Sequence, residues 1–85
     1  MPEKKLIGEI THYFTNIGVG IIKLSDKLEV NDKISIEGAS TDIQQTVDSM
    51  EIDRDRVEEA GKGESIGLKV KDRVREGDKV YKMSE

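Results

Sequence analysis

The sequence has 85 residues, 34% of them hydrophobic and 38% charged, with one His, no Trp, no Cys and a formal net charge of −4 at pH 7. A chain of this length makes one domain and buries only about 60% of its unfolded surface, which leaves no room for a large catalytic cleft beside a core. Without Cys there is no disulfide framework, thiolate metal site or cysteine nucleophile; the lone His12 excludes a multi-histidine zinc site; the acidic balance lacks the basic excess of a free-standing nucleic-acid binder.

Gly and Asn/Asp punctuate the chain at short intervals, and the segments between are rich in Ile and Val. That pattern predicts an all-β domain of six or seven short strands, over residues 6–83, with tails at 1–5 and 84–85. The first strand is expected over 6–14, with Leu6, Gly8, Ile10, His12 and Phe14 on the inward face and Tyr13 outward. A turn at 15–18 leads into a second strand over 19–24. Its apolar parity shifts between Ile21 and Ile22, which implies a bulge or burial on both faces. Leu28, Val30, Ile34 and Ile36 share one parity around an Asn31-Asp32 turn, and Asn tolerates the positive φ such a turn needs.

Residues 41–52 read as the longest strand. Ile43 and Val47 are odd while Met50 and Ile52 are even, so a bend is expected near Asp48-Ser49, the kind of kink with which small barrels turn corners. Asp55 followed by Glu58 fits a capping box, and Gly61 can end a helix, which predicts one helical turn there. Ile66, Leu68 and Val70 alternate as a half-buried strand. Glu76-Gly77-Asp78 turns into a last strand over 79–83. Closure into an antiparallel barrel removes exposed edges and is the expected architecture.

The longest apolar-plus-Gly run, residues 17–22, is too short to span a bilayer, and the first residues lack a signal-peptide core, so a soluble cytoplasmic protein is expected. Gly61-Lys62-Gly63-Glu64-Ser65 lacks the Gly-Lys-Ser/Thr order of a phosphate-binding loop and leads into a strand, so no nucleotide site is expected. The carboxylates of residues 53–59 alternate with Arg54 and Arg56, as on a solvated surface. His12 has no nucleophile and orienting acid distinguishable in the sequence. No catalytic residue, metal or cofactor is expected.

Lys69, Lys71, Arg73 and Arg75 share odd parity. An extended backbone would set successive cations about 6.6 Å apart on one side. Such a stripe suits contacts to a phosphate backbone or acidic partner, and equally the solvated face of an edge segment. An outward Tyr13 beside His12 would suit stacking on a base or anchoring a protein, or equally covering the barrel end.

The ordered segments Gly8-Glu9-Ile10, 18–24, 31–38, 47–52, 59–68 and 75–81 together resemble domain two of the translation GTPases, of which elongation factor Tu is the familiar case. Thr11-His12-Tyr13-Phe14, Ser49-Met50 and Val80-Tyr81-Lys82 look closer to stand-alone translation elongation factor-like proteins and to the C-terminal barrel of collagenase-like peptidases. The resemblance implies a closed antiparallel barrel without a GTPase domain. Ile52 stands near the arginine of the tRNA-binding factor, so no complete aminoacyl pocket carries over. The function expected is a non-enzymatic module docking on ribosomal or transfer RNA or a translation-associated protein. Lys69, Lys71, Arg73 and Arg75 would make the main contacts, with His12 and Tyr13 secondary. The alternative is a protein-interaction subunit acting in trans with a peptidase-like or RNA-modifying enzyme.

Overall fold

The computed structural model describes residues 3–84 and is all-β. Its strands are β1 (Glu3–Phe14), β2 (Val19–Leu24), β3 (Leu28–Glu29), β4 (Lys33–Glu37), β5 (Asp42–Thr46), β6 (Met50–Ile52), β7 (Asp55–Val57), β8 (Glu59–Ala60), β9 (Ser65–Lys69) and β10 (Lys79–Ser84). Eight of them form one antiparallel sheet in the order β5-β4-β10-β1-β2-β9-β6-β7, and β3 and β8 form a small separate pair. Ile7, Ile10, Ile22, Leu24, Ile34, Ile36, Met50, Ile66, Leu68 and Val80 fill a core from which water is almost wholly excluded. Burial of such side chains contributes about 1.5–3 kcal/mol each, which is how a chain only one-third apolar sustains a fold.

β1 begins at Glu3, earlier than the sequence pattern suggests, and its parity is interrupted twice. The register shifts between Leu6 and Gly8 against β10, and between Ile10 and His12 against β2. Each shift inserts one extra residue, Ile7 and then Thr11, and a bulge of this kind reverses which side chains face inward. Ile7 is therefore buried where Leu6 was expected, and Leu6 is 47% exposed. Past the second bulge, Tyr13 packs against the core while His12 and Phe14 face solvent, which reverses the expected inward His12 and Phe14 and outward Tyr13. Gly8 lies between the bulges, where a Cβ would sit 2.7 Å from Ile22 Cγ2 and 2.8 Å from the Lys23 carbonyl oxygen.

β2 keeps an unbroken register with β9 and buries residues on both faces. Gly20, Ile22 and Leu24 face the core, while Val19 and Ile21 are half-buried on the other side. Asn31 takes φ 80°, as its turn requires. The predicted helical turn at 55–61 is absent. Asp53 and Arg54 both have positive φ (51° and 71°) and make a two-residue hairpin turn joining β6 to β7, with Ile52 opposite Asp55. Positive φ at both central residues matches the right-handed twist of paired strands, and that pairing overrides the capping-box pattern.

The long segment 41–52 splits into β5 and β6 around residues 47–49, where the bend was expected. β5 ends one flank of the sheet, whereas β6 lies beside β9 near the other. The anticipated closed barrel is not made by strand pairing: the ladder is open, with β5 and β7 at its ends. At the bend, Val47 N–H donates to the Asp32 carbonyl and the Val47 carbonyl accepts from Asn31 N–H, so this backbone turns away from β9. The Gln45 side chain spans the gap instead. Its Nε2 donates to the Lys69 carbonyl at 3.0 Å, and its Oε1 accepts from Lys71 N–H at 3.0 Å. One amide thus supplies both a donor and an acceptor, as a paired strand residue would.

Candidate functional site

Among the described residues, two of the three exposed large apolar side chains, Phe14 and Ile17, lie at the hairpin that joins β1 to β2; the third, Leu6, lies further back on β1, opposite Tyr81. Phe14 pairs with Val19 across that hairpin, and Val19 pairs with Lys69 of β9. In an antiparallel sheet directly opposed residues share a face, so Phe14, Val19 and Lys69 form one row on the outer surface. The adjacent outward row is His12, Ile21 and Gly67. Gly67 carries no side chain, and a Cβ built there would lie 3.4 Å from Val19 and 3.6 Å from Ile21, so the two β-branched side chains lean over a bare stretch of β9. Ile17 occupies the turn itself. Its N–H and that of Gly18 both bond the Phe14 carbonyl, at 3.3 and 2.9 Å, and Gly18 closes the loop at φ 66°. Phe14 is 50% and Ile17 62% exposed.

The cations expected to line one extended segment lie beside this hairpin. Val70 N–H donates to the Gly18 carbonyl at 2.9 Å, which fixes the start of the segment against the turn. Val70 and Val74 are buried, and a Cβ on Gly20 would meet both. Lys69, Lys71, Arg73 and Arg75 all project into solvent, but β9 ends at Lys69 and the chain bends at 71–72. The stripe is thereby divided into two pairs. Lys69 and Lys71 border a shallow hollow with Gln45, Thr46 and Asp48; Arg73 and Arg75 border another with Thr41, Asp42 and Asp72.

None of these four side chains forms an ion pair among the described residues. Two acids of the same segment are already engaged. Asp72 Oδ1 accepts from Arg73 N–H at 2.7 Å, and Glu76 Oε1 lies 3.1 Å from His12 Nδ1. Asp78, 5% exposed, accepts from Arg75 N–H at 2.9 Å and so anchors the far end of the segment.

The His12–Glu76 pair is a His–carboxylate contact with both side chains about two-thirds exposed (65% and 67%). The His12 ring also lies 6.5 Å from that of Phe14. General acid–base chemistry draws on a partly dry environment, and this pair stands in water. Among the described residues, no group of three or more His, Cys, Asp or Glu is placed to hold a metal ion. The shifted titrations lie elsewhere. The Lys4 ammonium holds the Glu37 carboxyl below its ordinary range, Lys5 does the same for Asp26, and Glu59 and Glu29 raise Lys27.

Of the six residues singled out from sequence, the structure sets His12, Lys69 and Lys71 beside the hairpin, places Arg73 and Arg75 further along the same segment by Thr41 and Asp42, and turns Tyr13 inward. Phe14 and Ile17 were missed. The available signal was Ile17 itself, an aliphatic residue in a four-residue turn with no strand face to bury it on.

No family model matches the chain. It is 39% identical over 80 residues to an uncharacterized protease of Methanocaldococcus jannaschii, a match covering 93% of this chain and 20% of that protein. It is 34% identical over 85 residues to a collagenase of Porphyromonas gingivalis, covering 98% of this chain and 24% of the collagenase. The chain thus spans about a fifth to a quarter of the length of the curated relatives it matches. No helix among the described residues is long and apolar enough to cross a membrane. In three dimensions the chain superimposes on the C-terminal domain of a Geobacillus thermoleovorans protein assigned to the U32 peptidases, with a TM-score of 0.86 at 14% identity, covering 92% of this chain and 91% of that one. The comparisons therefore support the collagenase-like resemblance and not the elongation-factor one, and the fold is that of a U32 peptidase C-terminal domain.

Proposed function

We propose that this chain is a non-catalytic protein-docking domain that works with a peptidase-like catalytic unit. The observation that carries the proposal is the extent of the match. Nearly the whole chain corresponds to a minor part of a protease and a collagenase, and its fold is that of a domain separable from such a protein. The surface supports the same reading. Its hollows are shallow, the His12–Glu76 pair is solvated, and two of its exposed large apolar side chains, Phe14 and Ile17, sit together at one hairpin. The rival, RNA docking of the translation-factor kind, rests on the unpaired cations alone.

Nuclease-treated affinity capture with the tagged protein tests the proposal. The expected result is retention of a peptidase-like chain, identified by mass spectrometry and re-formed from the two purified components. Retention of RNA with steep salt dependence, and no protein partner, would overturn it. The purified domain alone is expected to leave gelatin and casein intact. Hydrolysis lost on His12→Ala would return it to the enzymes.

A further inference from the structure

We infer that the β1–β2 hairpin and the segment after β9 form one docking surface for an acidic protein segment with apolar anchors. This inference rests on the peptidase-partner reading and specifies which face is used and what chemistry meets it. Two observations converge on it. The first is apolar: Phe14 and Ile17 are exposed at the tip, and half-buried Val19 and Ile21 continue the patch down the outer face over the bare Gly67. An aromatic and an aliphatic anchor ringed by charge is the usual make-up of a binding hot spot.

The second observation is electrostatic. Lys69 stands in the same outward row as Phe14 and Val19, and Lys71, Arg73 and Arg75 follow along the segment that the Val70–Gly18 hydrogen bond holds against the turn. None of the four is ion-paired among the described residues, in a chain whose net charge is −4. Asp72 and Glu76 point their carboxylates back to Arg73 N–H and His12. The cations thus stand near carboxylates without pairing to them among the described residues, and carboxylates from outside would complement them.

A protein fits this face better than a nucleic acid does. Asp42, Asp48, Asp72 and Glu76 interrupt the cations, so the face suits separated carboxylates and not an unbroken run of phosphates. Tyr13, whose ring would extend a stacking platform beside Phe14 if it faced outward, is packed against the core. Ile17, the most exposed large apolar side chain, has no π face to offer a base.

The test is NMR titration of the 15N-labelled protein with three probes: a short synthetic peptide alternating Glu with Leu, its Gln-for-Glu counterpart, and a single-stranded oligouridylate of matching length. The acidic peptide is expected to shift amides of residues 12–21 and 69–75. Affinity should fall at least about tenfold in Phe14→Ser/Ile17→Ser and in Lys71→Glu/Arg73→Glu. Both double variants alter exposed side chains, and unchanged spectra elsewhere would verify the fold. No shifts, shifts centred elsewhere, tighter binding of the oligouridylate at this face, or self-association through it would each overturn the inference. Capture of a peptidase-like chain by Phe14→Ser/Ile17→Ser at wild-type strength would also overturn it, while leaving the peptidase-partner reading intact. Peptide binding at the hairpin without any peptidase-like partner would support the inference and remove that reading.

Discussion

Single residues carry much of the geometry here because one strand, β1, departs twice from simple alternation. Gly8 sits between the bulges of β1, where β2 approaches so closely that a Cβ would press on Ile22 and on the Lys23 backbone oxygen at 2.8 Å. A backbone atom in a ladder cannot swing aside as a long side chain would. Gly8→Ala is expected to cost about 1–3 kcal/mol in denaturant unfolding. Gly61→Ala, with nothing within 4 Å of its new methyl, should change stability far less. Equal effects would show that the approach of β1 to β2 relaxes freely. The charged pairs act on a different axis. Glu37 is held below its ordinary 4.5 by hydrogen bonds from Lys4 and Ser35, and Asp26 below its ordinary 3.8 by Lys5 and the Lys27 N–H. A carboxyl depressed in the folded state contributes stability that is present above the unfolded value and lost as pH falls through the lower folded one. Lys4 and Lys27 are raised above 10.5 by their carboxylate partners, so their share is present below that value and lost as pH rises through the folded one. Unfolding midpoints should therefore be flat at neutral pH and fall below about pH 4.5 and again above about 10.5. Both limbs should shrink in high salt, because these pairs are solvent-exposed. Glu37→Gln should reduce the acid limb.

At the scale of elements, the sequence was most readable where strands keep strict alternation. The bounds of β2, the alternation of β9 and the bend between β5 and β6 all follow from where Ile, Val and Leu fall. What alternation cannot reveal is a residue inserted into one strand and not into its partner. Ile7 and Thr11 are such insertions, and they invert the faces of Leu6, His12, Tyr13 and Phe14. The candidate surface was legible for the same reason only in its charges, since odd parity held through Val70 and Val74 while the aromatic assignment was reversed. The hairpin at Asp53-Arg54 was hidden differently: Asp55 and Glu58 form a valid local capping pattern, and only the β6 ladder beside them decides against it. Nor does the sequence disclose that Gln45 substitutes for a strand partner. Gln45→Ala removes a side chain that satisfies two backbone groups, Lys69 C=O and Lys71 N–H. The expected loss is about 1–2 kcal/mol, with hydrogen exchange accelerated at Lys71 and not in the β1–β10 ladder. Gln45→Glu keeps the acceptor for Lys71 and loses the donor to Lys69, so exchange at Lys71 should stay slow. Fast exchange in both variants would mean that the seam is held by packing.

For the whole molecule, the decisive fact is that β1 and β10, remote in sequence, lie side by side in the middle of the sheet. β1 bonds β10 on one edge and β2 on the other, and β10 bridges β1 to β4. Removing β10 would strip one side of β1, leave the β4–β5 pair with no ladder to the other strands and expose Ile34 and Ile36, which are now wholly dry. Nothing else among the described strands pairs with both β1 and β4. A chain ending before Lys79 is therefore expected to lose the cooperative thermal transition seen by circular dichroism, and not merely to melt a few degrees lower. A surviving sharp transition would show that β1, β2, β9 and β6 form a self-sufficient sheet. The same topology sets the folding rate. Pairing distant ends costs loop-closure entropy before any contact rewards it, so refolding should fall in the millisecond-to-second range of non-local β-proteins, not the microseconds of local folds. Docking depends on the same completion. The outward row Phe14, Val19 and Lys69 exists only when β1, β2 and β9 are in register, and the segment after β9 is held between Gly18 at one end and Asp78, just before β10, at the other. Partner binding should accordingly be lost together with the cooperative transition as denaturant rises. Binding that persists in the unfolded chain would show that the hairpin sequence, and not its assembled surface, is what the partner recognises.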